Sequence, residues 1–216
     1  MALKRPEGMN DEEFLAYANE KSRKKKEARD KMLANKTNEK GLLIVHTGKG
    51  KGKSTAAFGL VFRALGNGMR VGIIQFVKGK WETGERYALD KFDDQVEIKA
   101  MGEGFSWDTQ DKARDIRAAE AAWAQAEAWI EACRGDKPQF DMLLFDELNI
   151  PLRYDNLNIS RIVETLKNKP ENLHIIVTGR NAKDELIEIA DLVTEMGQVK
   201  HPFREQNVKA QKGIEF

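Results

Sequence analysis

The sequence contains one cysteine, Cys133, in 216 residues, so no disulfide bond can form within the chain. This scarcity fits a reducing compartment, and we expect a cytoplasmic protein. Long apolar runs are also missing, since stretches such as 42–45 and 142–145 are far too short to cross a bilayer. The N-terminal residues Met1–Glu7 are not followed by the apolar segment of a secretory signal. We therefore expect no membrane association.

Several kinds of catalytic group are absent as well. The histidines His46, His174 and His201 do not show the spacing of metal ligands. There is no nucleophile elbow, and Cys133 has no activating motif beside it. We interpret His46 as a packed strand residue. If the protein is an enzyme that uses ATP, its nucleophile is expected to arrive with the substrate.

Neither sign of charge dominates the sequence. The formal net charge is +1, with 33% charged and 41% hydrophobic residues, which excludes a disordered or fibrous chain. Positive charge concentrates in residues 21–26, a pattern compatible with a nucleic-acid patch, a solvated helix face or attraction to a phosphate-rich small molecule. We favour the solvated face, because acidic residues are interleaved and aromatic residues are sparse there. No nucleic-acid partner is expected.

The first forty residues differ in pattern from the rest. Residues 10–36 are predicted to form a helix that starts at Asn10 or Asp11. Its apolar positions are few, so we expect it to dock on its own domain or on a partner subunit. The composition changes at Gly41. The predicted organisation is an N-terminal helical extension over 1–40 and a nucleotide-binding domain over 41–216.

From Gly41 onwards, short apolar runs alternate with amphipathic segments. The predicted strands are 42–46, 71–77, 96–101, 140–145 and, as the last, 173–178. The predicted helices are 53–65, 109–133, 160–168 and 184–190. We expect Asp108 or Thr109 to cap the helix at 109–133, and Trp123 and Cys133 to pack in the core from its apolar stripe. Alternating strands and helices predict an α/β fold with a mostly parallel sheet and helices on both faces.

A glycine-rich segment lies between the first predicted strand and the first predicted helix of this domain. It reads Gly48, Lys49, Gly50, Lys51, Gly52, Lys53 and Ser54. The three glycines let backbone amides converge on an anion, and the following helix directs its N-terminal dipole at the same point. Lys53 supplies a cation, and Ser54 supplies a hydroxyl suited to Mg²⁺. We call residues Gly48–Ser54 the phosphate loop.

The spacing of this loop is not the standard one for NTPases. The usual pattern has glycine five positions before the glycine of Gly-Lys-Ser, where this chain has Thr47. The cradle is therefore effectively shorter. The position of a bound phosphate chain is not expected to match that in ordinary NTPases.

Two acidic residues follow an apolar strand, at Asp146 and Glu147. In a chain that already has a phosphate loop, this pattern is the leading candidate for the carboxylates that hold a metal ion or its waters. The alternative is a solvent-facing helix cap. The residues alone do not decide which acid would be the direct ligand.

A third feature is the glycine-rich segment 102–107, which contains Phe105 and Trp107. These aromatic residues lack the regular spacing of a core face. One interpretation is a flap that lays apolar surface over a flat ligand, and the other is that the rings fold back over the core. Spacing favours neither.

Taken together, these residues resemble the P-loop-type ATP:corrinoid adenosyltransferases. The resemblance runs from about Gly41 to the C-terminus, and the shortened loop makes it specific. Lys49 departs from the family, where Asn is more usual. The matching segments are 41–59, 102–107, 145–148, 177–180 and 208–215.

The resemblance implies a P-loop (RecA-like) fold and a defined reaction. The 5′-deoxyadenosyl group of ATP would be transferred to the Co(I) centre of a corrinoid, in adenosylcobalamin biosynthesis or salvage, with release of tripolyphosphate. The phosphate loop would bind ATP, with Lys53 offsetting charge on the leaving group. Ser54, Asp146 and Glu147 would hold Mg²⁺ or Mn²⁺.

The resemblance also implies further partners. Phe105 and Trp107 would occupy the lower face of the corrin and displace its axial ligand, so that a reduced flavoprotein can supply the electron that produces Co(I). The chain would form a homodimer, with the N-terminal helix covering an active site. A conventional P-loop ATPase or kinase that cleaves the β–γ bond is the alternative function.

Overall fold

A computed structural model describes residues 4–77, 84–102 and 111–215. The chain divides into two compact units, Met1–Glu39 and Lys40–Phe216. The described residues contain no helix that combines the length and the hydrophobicity needed to span a membrane. Phe105 and Trp107, as well as Asp108 and Thr109, lie outside the described residues.

The first unit contains one long helix, α1 (Asp11–Ala34). It begins with a capping box: the Asn10 side chain accepts from the Glu13 N–H at 3.0 Å, and the Glu13 carboxylate accepts from the Asn10 N–H at 3.0 Å. Ion pairs one turn apart, such as Glu20–Lys24 at 2.8 Å and Lys26–Asp30 at 2.7 Å, follow the basic run. The helix predicted over 10–36 is confirmed, with an end two residues earlier.

The second unit alternates strands and helices. Its strands are β1 (Leu43–Thr47), β2 (Val71–Gln75), β3 (Val96–Ala100), β4 (Met142–Asp146), β5 (His174–Thr178) and β6 (Leu192–Glu195). Its helices are α2 (Lys53–Gly66), α3 (Gly84–Leu89), α4 (Lys112–Glu131), α5 (Asn149–Arg153), α6 (Ile159–Lys167), α7 (Asp184–Ile189) and α8 (Pro202–Glu205), with a 3-10 helix at Asp90–Gln95.

All strand pairs are parallel, and the six strands follow the order β3-β2-β4-β5-β1-β6. Strand β5 therefore lies between β1, which precedes the phosphate loop, and β4, which ends in the acids. This arrangement confirms the predicted P-loop (RecA-like) fold with helices on both faces.

Two predictions about individual elements are wrong. The segment 173–178 is not the last strand, because β6 follows it and pairs with β1. All four residues of β6 are exposed, so this edge strand lacks the apolar run that marks a buried strand. Helix α4 begins at Lys112, and its cap is Asp111, whose side chain accepts from the Arg114 N–H at 3.0 Å.

Alternating residues of the central strands build two core layers. Ile44, Ile73, Leu144 and Ile176 pack with α2 on one face, while Val45, Phe145 and Val177 pack with α4, α5, α6 and α7 on the other. Trp123 and Cys133 of the predicted stripe are 0% and 4% exposed, which confirms their packing role. The Trp123 ring meets Phe145 edge-on, with centroids 5.8 Å apart.

Candidate active site at the carboxyl end of the sheet

The phosphate loop joins β1 to α2 at the carboxyl end of the parallel strands. Gly52, at the start of α2, has φ +102°, which favours glycine over residues with a side chain. No side chain caps the first turn of α2. Its N–H groups and its positive dipole end are therefore directed at the loop, where an anion would be stabilised.

The loop rests on the chain that leaves β6. The Gly50 N–H donates to the Met196 carbonyl oxygen at 2.7 Å, and the Met196 N–H donates to the Thr47 carbonyl oxygen at 2.9 Å. A Cβ at Gly48 would lie 2.5 Å from the Met196 oxygen, and one at Gly50 would lie 2.6 Å from the Gly197 oxygen. These two glycines are thus required by backbone contact beneath the loop. The sequence did not indicate this supporting backbone at Met196 and Gly197, because it follows β6, the strand that was not predicted.

The Lys53 side chain forms hydrogen bonds with the backbone of the phosphate loop. Its ammonium donates to the carbonyl oxygens of Gly48 at 3.0 Å and Gly50 at 2.5 Å. The residue is only 6% exposed, and burial lowers the pKa of its ammonium, while the Glu147 carboxylate acts in the opposite direction. His46 is packed as predicted, with Nδ1 3.3 Å from the Lys53 carbonyl oxygen.

The other loop side chains have different surroundings. Lys49 and Lys51 are exposed, and Ser54 is half-buried. Lys51 forms an ion pair with Glu215, which brings the end of the chain to the loop. Lys51 and Arg180 also border a cavity of about 500 Å³, whose remaining walls come from residues 201–215.

A row of polar side chains crosses the sheet beside the loop. The pairing places His46 of β1 opposite Thr178 of β5, and Gln75 of β2 opposite Asp146 of β4. Asp146 is fully buried. Its Oδ1 accepts from the Thr178 hydroxyl at 2.8 Å, and its Oδ2 is 3.5 Å from the Gln75 amide nitrogen. Asp146 is thus part of the sheet row, and not a solvent-facing helix cap.

Glu147 takes an unusual backbone conformation one residue further on. Its φ is +64°, a left-handed value that is costly for a residue with a side chain. Its N–H donates to the Thr178 hydroxyl oxygen at 2.9 Å. Gly179, with φ +126°, allows close packing here, since a Cβ would lie 2.8 Å from the Asn149 Cβ and 3.2 Å from the Glu147 Oε2.

Asn149 ties α5 to the end of β5. Its Nδ2 donates to the Gly179 carbonyl oxygen at 3.0 Å. Its Oδ1 is buried and has no hydrogen-bond partner within the described ranges. Asn149 did not stand out in the sequence, and Thr178 lay in the matching segment 177–180 without a role being assigned to it. An amide after an acidic pair and a threonine at a strand end are both common, so only the fold shows their relation to the acids.

The structure therefore brings the loop and the acids together. Burial lowers the pKa of the Lys53 ammonium; the charge of Glu147 opposes this lowering, and the charges of Arg180 and Lys51 add to it. Ser54 and the two carboxylates offer hard oxygen donors, the type that Mg²⁺ and Mn²⁺ prefer. No group of three or more His, Cys, Asp or Glu able to hold a metal occurs among the described residues. In a site of this type the nucleotide phosphates supply further ligands.

Comparison with known proteins identifies relatives over most of the chain. The family model for ATP:corrinoid adenosyltransferase BtuR/CobO/CobP matches residues 39–216. Corrinoid adenosyltransferases from a Sinorhizobium species and from Pseudomonas aeruginosa are 52% and 46% identical, covering 91% of this chain and 90% and 94% of their own lengths. A corrinoid adenosyltransferase of Escherichia coli K12 is 39% identical, over 96% of this chain and 100% of its own length.

Proposed function

Because the chain belongs to the ATP:corrinoid adenosyltransferase family, we propose that its phosphate loop holds the triphosphate of ATP during transfer of the adenosyl group to a corrinoid. The observation that carries this assignment is the loop itself. The uncapped start of α2 lies at this loop together with the buried Lys53 ammonium, which bonds to the carbonyl oxygens of Gly48 and Gly50. These are the elements that bind and neutralise a chain of phosphates.

The bond that breaks in this reaction joins the 5′ carbon of ATP to its triphosphate. Negative charge therefore develops on the leaving tripolyphosphate, and Lys53 is the cation placed to offset it. The attacking group is the Co(I) centre of the substrate, a strong nucleophile that needs no protein base. The contribution of the chain is alignment of the two substrates and stabilisation of charge.

A divalent cation, Mg²⁺ or Mn²⁺, is proposed beside the loop, where it would neutralise phosphate charge. Ser54 and Glu147 are its proposed protein ligands. Asp146 is proposed to act behind Glu147, because it is fully buried and already accepts the Thr178 hydroxyl. Burial lowers the pKa of the Lys53 ammonium, and the charge of Glu147, which is partly exposed, opposes this lowering.

The remaining parts of the proposal rest on the family. Phe105 and Trp107 would contact the lower face of the corrinoid and displace its axial ligand, and a reduced flavoprotein would supply the electron. Residues 1–40 would act as a helical extension to the domain 41–216, within a cytoplasmic homodimer. The low apolar content of α1 supports a docking role of this kind, since its few apolar residues cannot form a core alone.

Product analysis tests the function directly. The protein is incubated with ATP, Mg²⁺ and chemically reduced cobalamin, and both products are identified. We expect an adenosylated corrinoid and tripolyphosphate in equal amounts. The alternative, a conventional P-loop ATPase or kinase, predicts a full-length Gly-x-x-x-x-Gly-Lys loop, which this chain lacks at Thr47, and ADP with cleavage of the β–γ bond. Formation of ADP and phosphate without adenosylated corrinoid would overturn the proposal.

A further inference from the structure

Thr178 lies between the two halves of the site. It ends β5, the strand between the one that leads into the phosphate loop and the one that ends in the acids. The residue is fully buried. On one side it is paired with His46 of β1, and on the other its hydroxyl reaches Asp146 of β4. Contacts within the protein account for the position of Thr178.

The hydrogen bonds of Thr178 have only one possible direction. A backbone N–H can only donate, so the Thr178 oxygen accepts from Glu147 at 2.9 Å. The single hydroxyl proton is then used toward Oδ1 of Asp146 at 2.8 Å. One hydroxyl therefore fixes a backbone amide of one acid and a carboxylate of the other. Of the side chains of this size, only threonine and serine can do both.

The bond to Glu147 is made where the backbone is least relaxed. Glu147 has φ +64°, and a residue with a side chain holds this conformation only when its surroundings enforce it. The N–H bond to Thr178 is one such constraint. The left-handed turn sets the direction in which the Glu147 side chain leaves β4.

We propose that Thr178 is a positioning residue that sets the Glu147 carboxylate for the divalent cation, through a hydroxyl shared between Asp146 and the Glu147 amide. This inference rests on the proposed function, because it takes Glu147 as a ligand of that cation. Loss of the hydroxyl removes an acceptor from the Glu147 amide and a donor from Asp146. Groups that orient a ligand in this way typically contribute about 10- to 100-fold to metal affinity.

The test compares Thr178→Val, which keeps the shape and loses the hydroxyl, with Thr178→Ser, which keeps the hydroxyl. Binding of Mn²⁺ in the presence of the β,γ-imido analogue of ATP is measured by electron paramagnetic resonance for each variant. Binding of the analogue alone is measured in EDTA. We expect Thr178→Val to weaken Mn²⁺ binding about tenfold or more, with metal-free analogue binding unchanged and with Thr178→Ser close to the unsubstituted protein.

Glu147→Gln in the same assay distinguishes the role of Glu147 as a metal ligand from the positioning role of Thr178. If Glu147→Gln weakens Mn²⁺ binding and Thr178→Val does not, the positioning role is overturned while the metal site stands. If Glu147→Gln binds Mn²⁺ normally, the proposed ligand is wrong, and the route by which Thr178 acts is overturned with it. Equal losses of Mn²⁺ and metal-free analogue binding in Thr178→Val would show a general structural role instead. Should Thr178→Val fail to fold, Thr178→Ala carries the same expectations.

Discussion

The ammonium of Lys53 lies 3.0 Å from the carbonyl oxygen of Gly48, at the opposite end of the phosphate loop. The lysine is therefore bonded to the loop that it helps to form. On the proposed function, a triphosphate in the loop would offer this ammonium charged oxygens in place of neutral carbonyls. Both kinds of bond are charge-assisted through the ammonium, but a phosphate oxygen carries negative charge as well, so Coulomb attraction would favour the exchange.

Replacing Lys53 with Ala is expected to lower adenosyl transfer about 100-fold or more, since removal of one charge-stabilising donor from an active site has effects of this size. The initial rate with ATP and chemically reduced cobalamin measures the change. Lys167→Ala is the matched control, because Lys167 is an exposed lysine at the end of α6. A Lys53→Ala variant with the rate of this control would exclude the loop as the ATP site.

Gly50→Ala is expected to abolish ATP binding. The added Cβ would lie 2.6 Å from the Gly197 oxygen, so the loop would have to move away from the backbone that supports it. Gly59→Ala is the control: it lies in α2 with nothing within 4 Å of its Cβ. In a helix interior alanine is favoured over glycine by about 1 kcal/mol, so this variant should melt at a higher temperature. Titration with ATP and thermal melts check both. Normal ATP affinity in Gly50→Ala would contradict the described contact.

The stability of the fold is expected to fall on mild acidification through His174. Burial is the main cause that lowers the pKa of this imidazole below 6.5, and its Nδ1 accepts from the Leu42 N–H at 3.1 Å. The neutral ring is favoured in the fold, so its contribution is complete above pH 6.5 and is lost as the pH falls through the lowered pKa.

Melting temperatures at several pH values from neutral to mildly acidic, for the unsubstituted protein and for His174→Gln, measure this effect. The acid-induced decrease should be smaller in His174→Gln, although the variant is less stable at neutral pH because the Leu42 N–H loses an acceptor. His201→Gln, at the half-buried cap position of α8, serves as control. Identical pH profiles for all three proteins would show that another group controls acid stability.

Trp107→Ala and Phe105→Ala test the proposed corrinoid contact. If the rings displace the lower axial ligand, their loss should impair reduction of bound Co(II) more than adenosyl transfer. Trp107→Ala should then be nearly inactive with a flavoprotein donor and retain most activity with a strong chemical reductant. The ratio of the two rates is the measurement, together with the absorption spectrum of bound Co(II). Equal losses with both donors would indicate that the rings only hold the corrinoid or cover the core.

The buried part of the fold could be predicted from the sequence because burial leaves a pattern. Apolar runs located β1, β2, β4 and β5 to within a few residues, and the stripe containing Trp123 located α4. Strand β6 left no such signal, since all its residues are exposed at the sheet edge. The cap of α4 was misplaced for a different reason: Asp108, Thr109 and Asp111 are all good caps, and only the backbone selects one of them.

The candidate site was predictable where chemistry is local in the chain. The phosphate loop and the acidic pair each form a contiguous motif. The groups that hold these motifs in place come from elsewhere: Thr178 from β5, Asn149 from α5 and Met196 from the exit of β6. Their residue types are common, and their role depends on strand order. The resemblance over 177–180 included Thr178, but no pattern within one segment indicated what Thr178, Asn149 or Met196 contacts.

The strands that carry the polar row from His46 to Asp146 also set the distance between the two halves of the site. Neighbouring strands lie about 4.8 Å apart, so the strand before the phosphate loop and the strand before the acids are separated by about 10 Å, two such steps. Backbone hydrogen bonds maintain this span, and the side chains have no part in setting it. Substitutions can therefore change what the site binds and how tightly. Changing the distance between the phosphate loop and the acids would require adding or removing an entire strand.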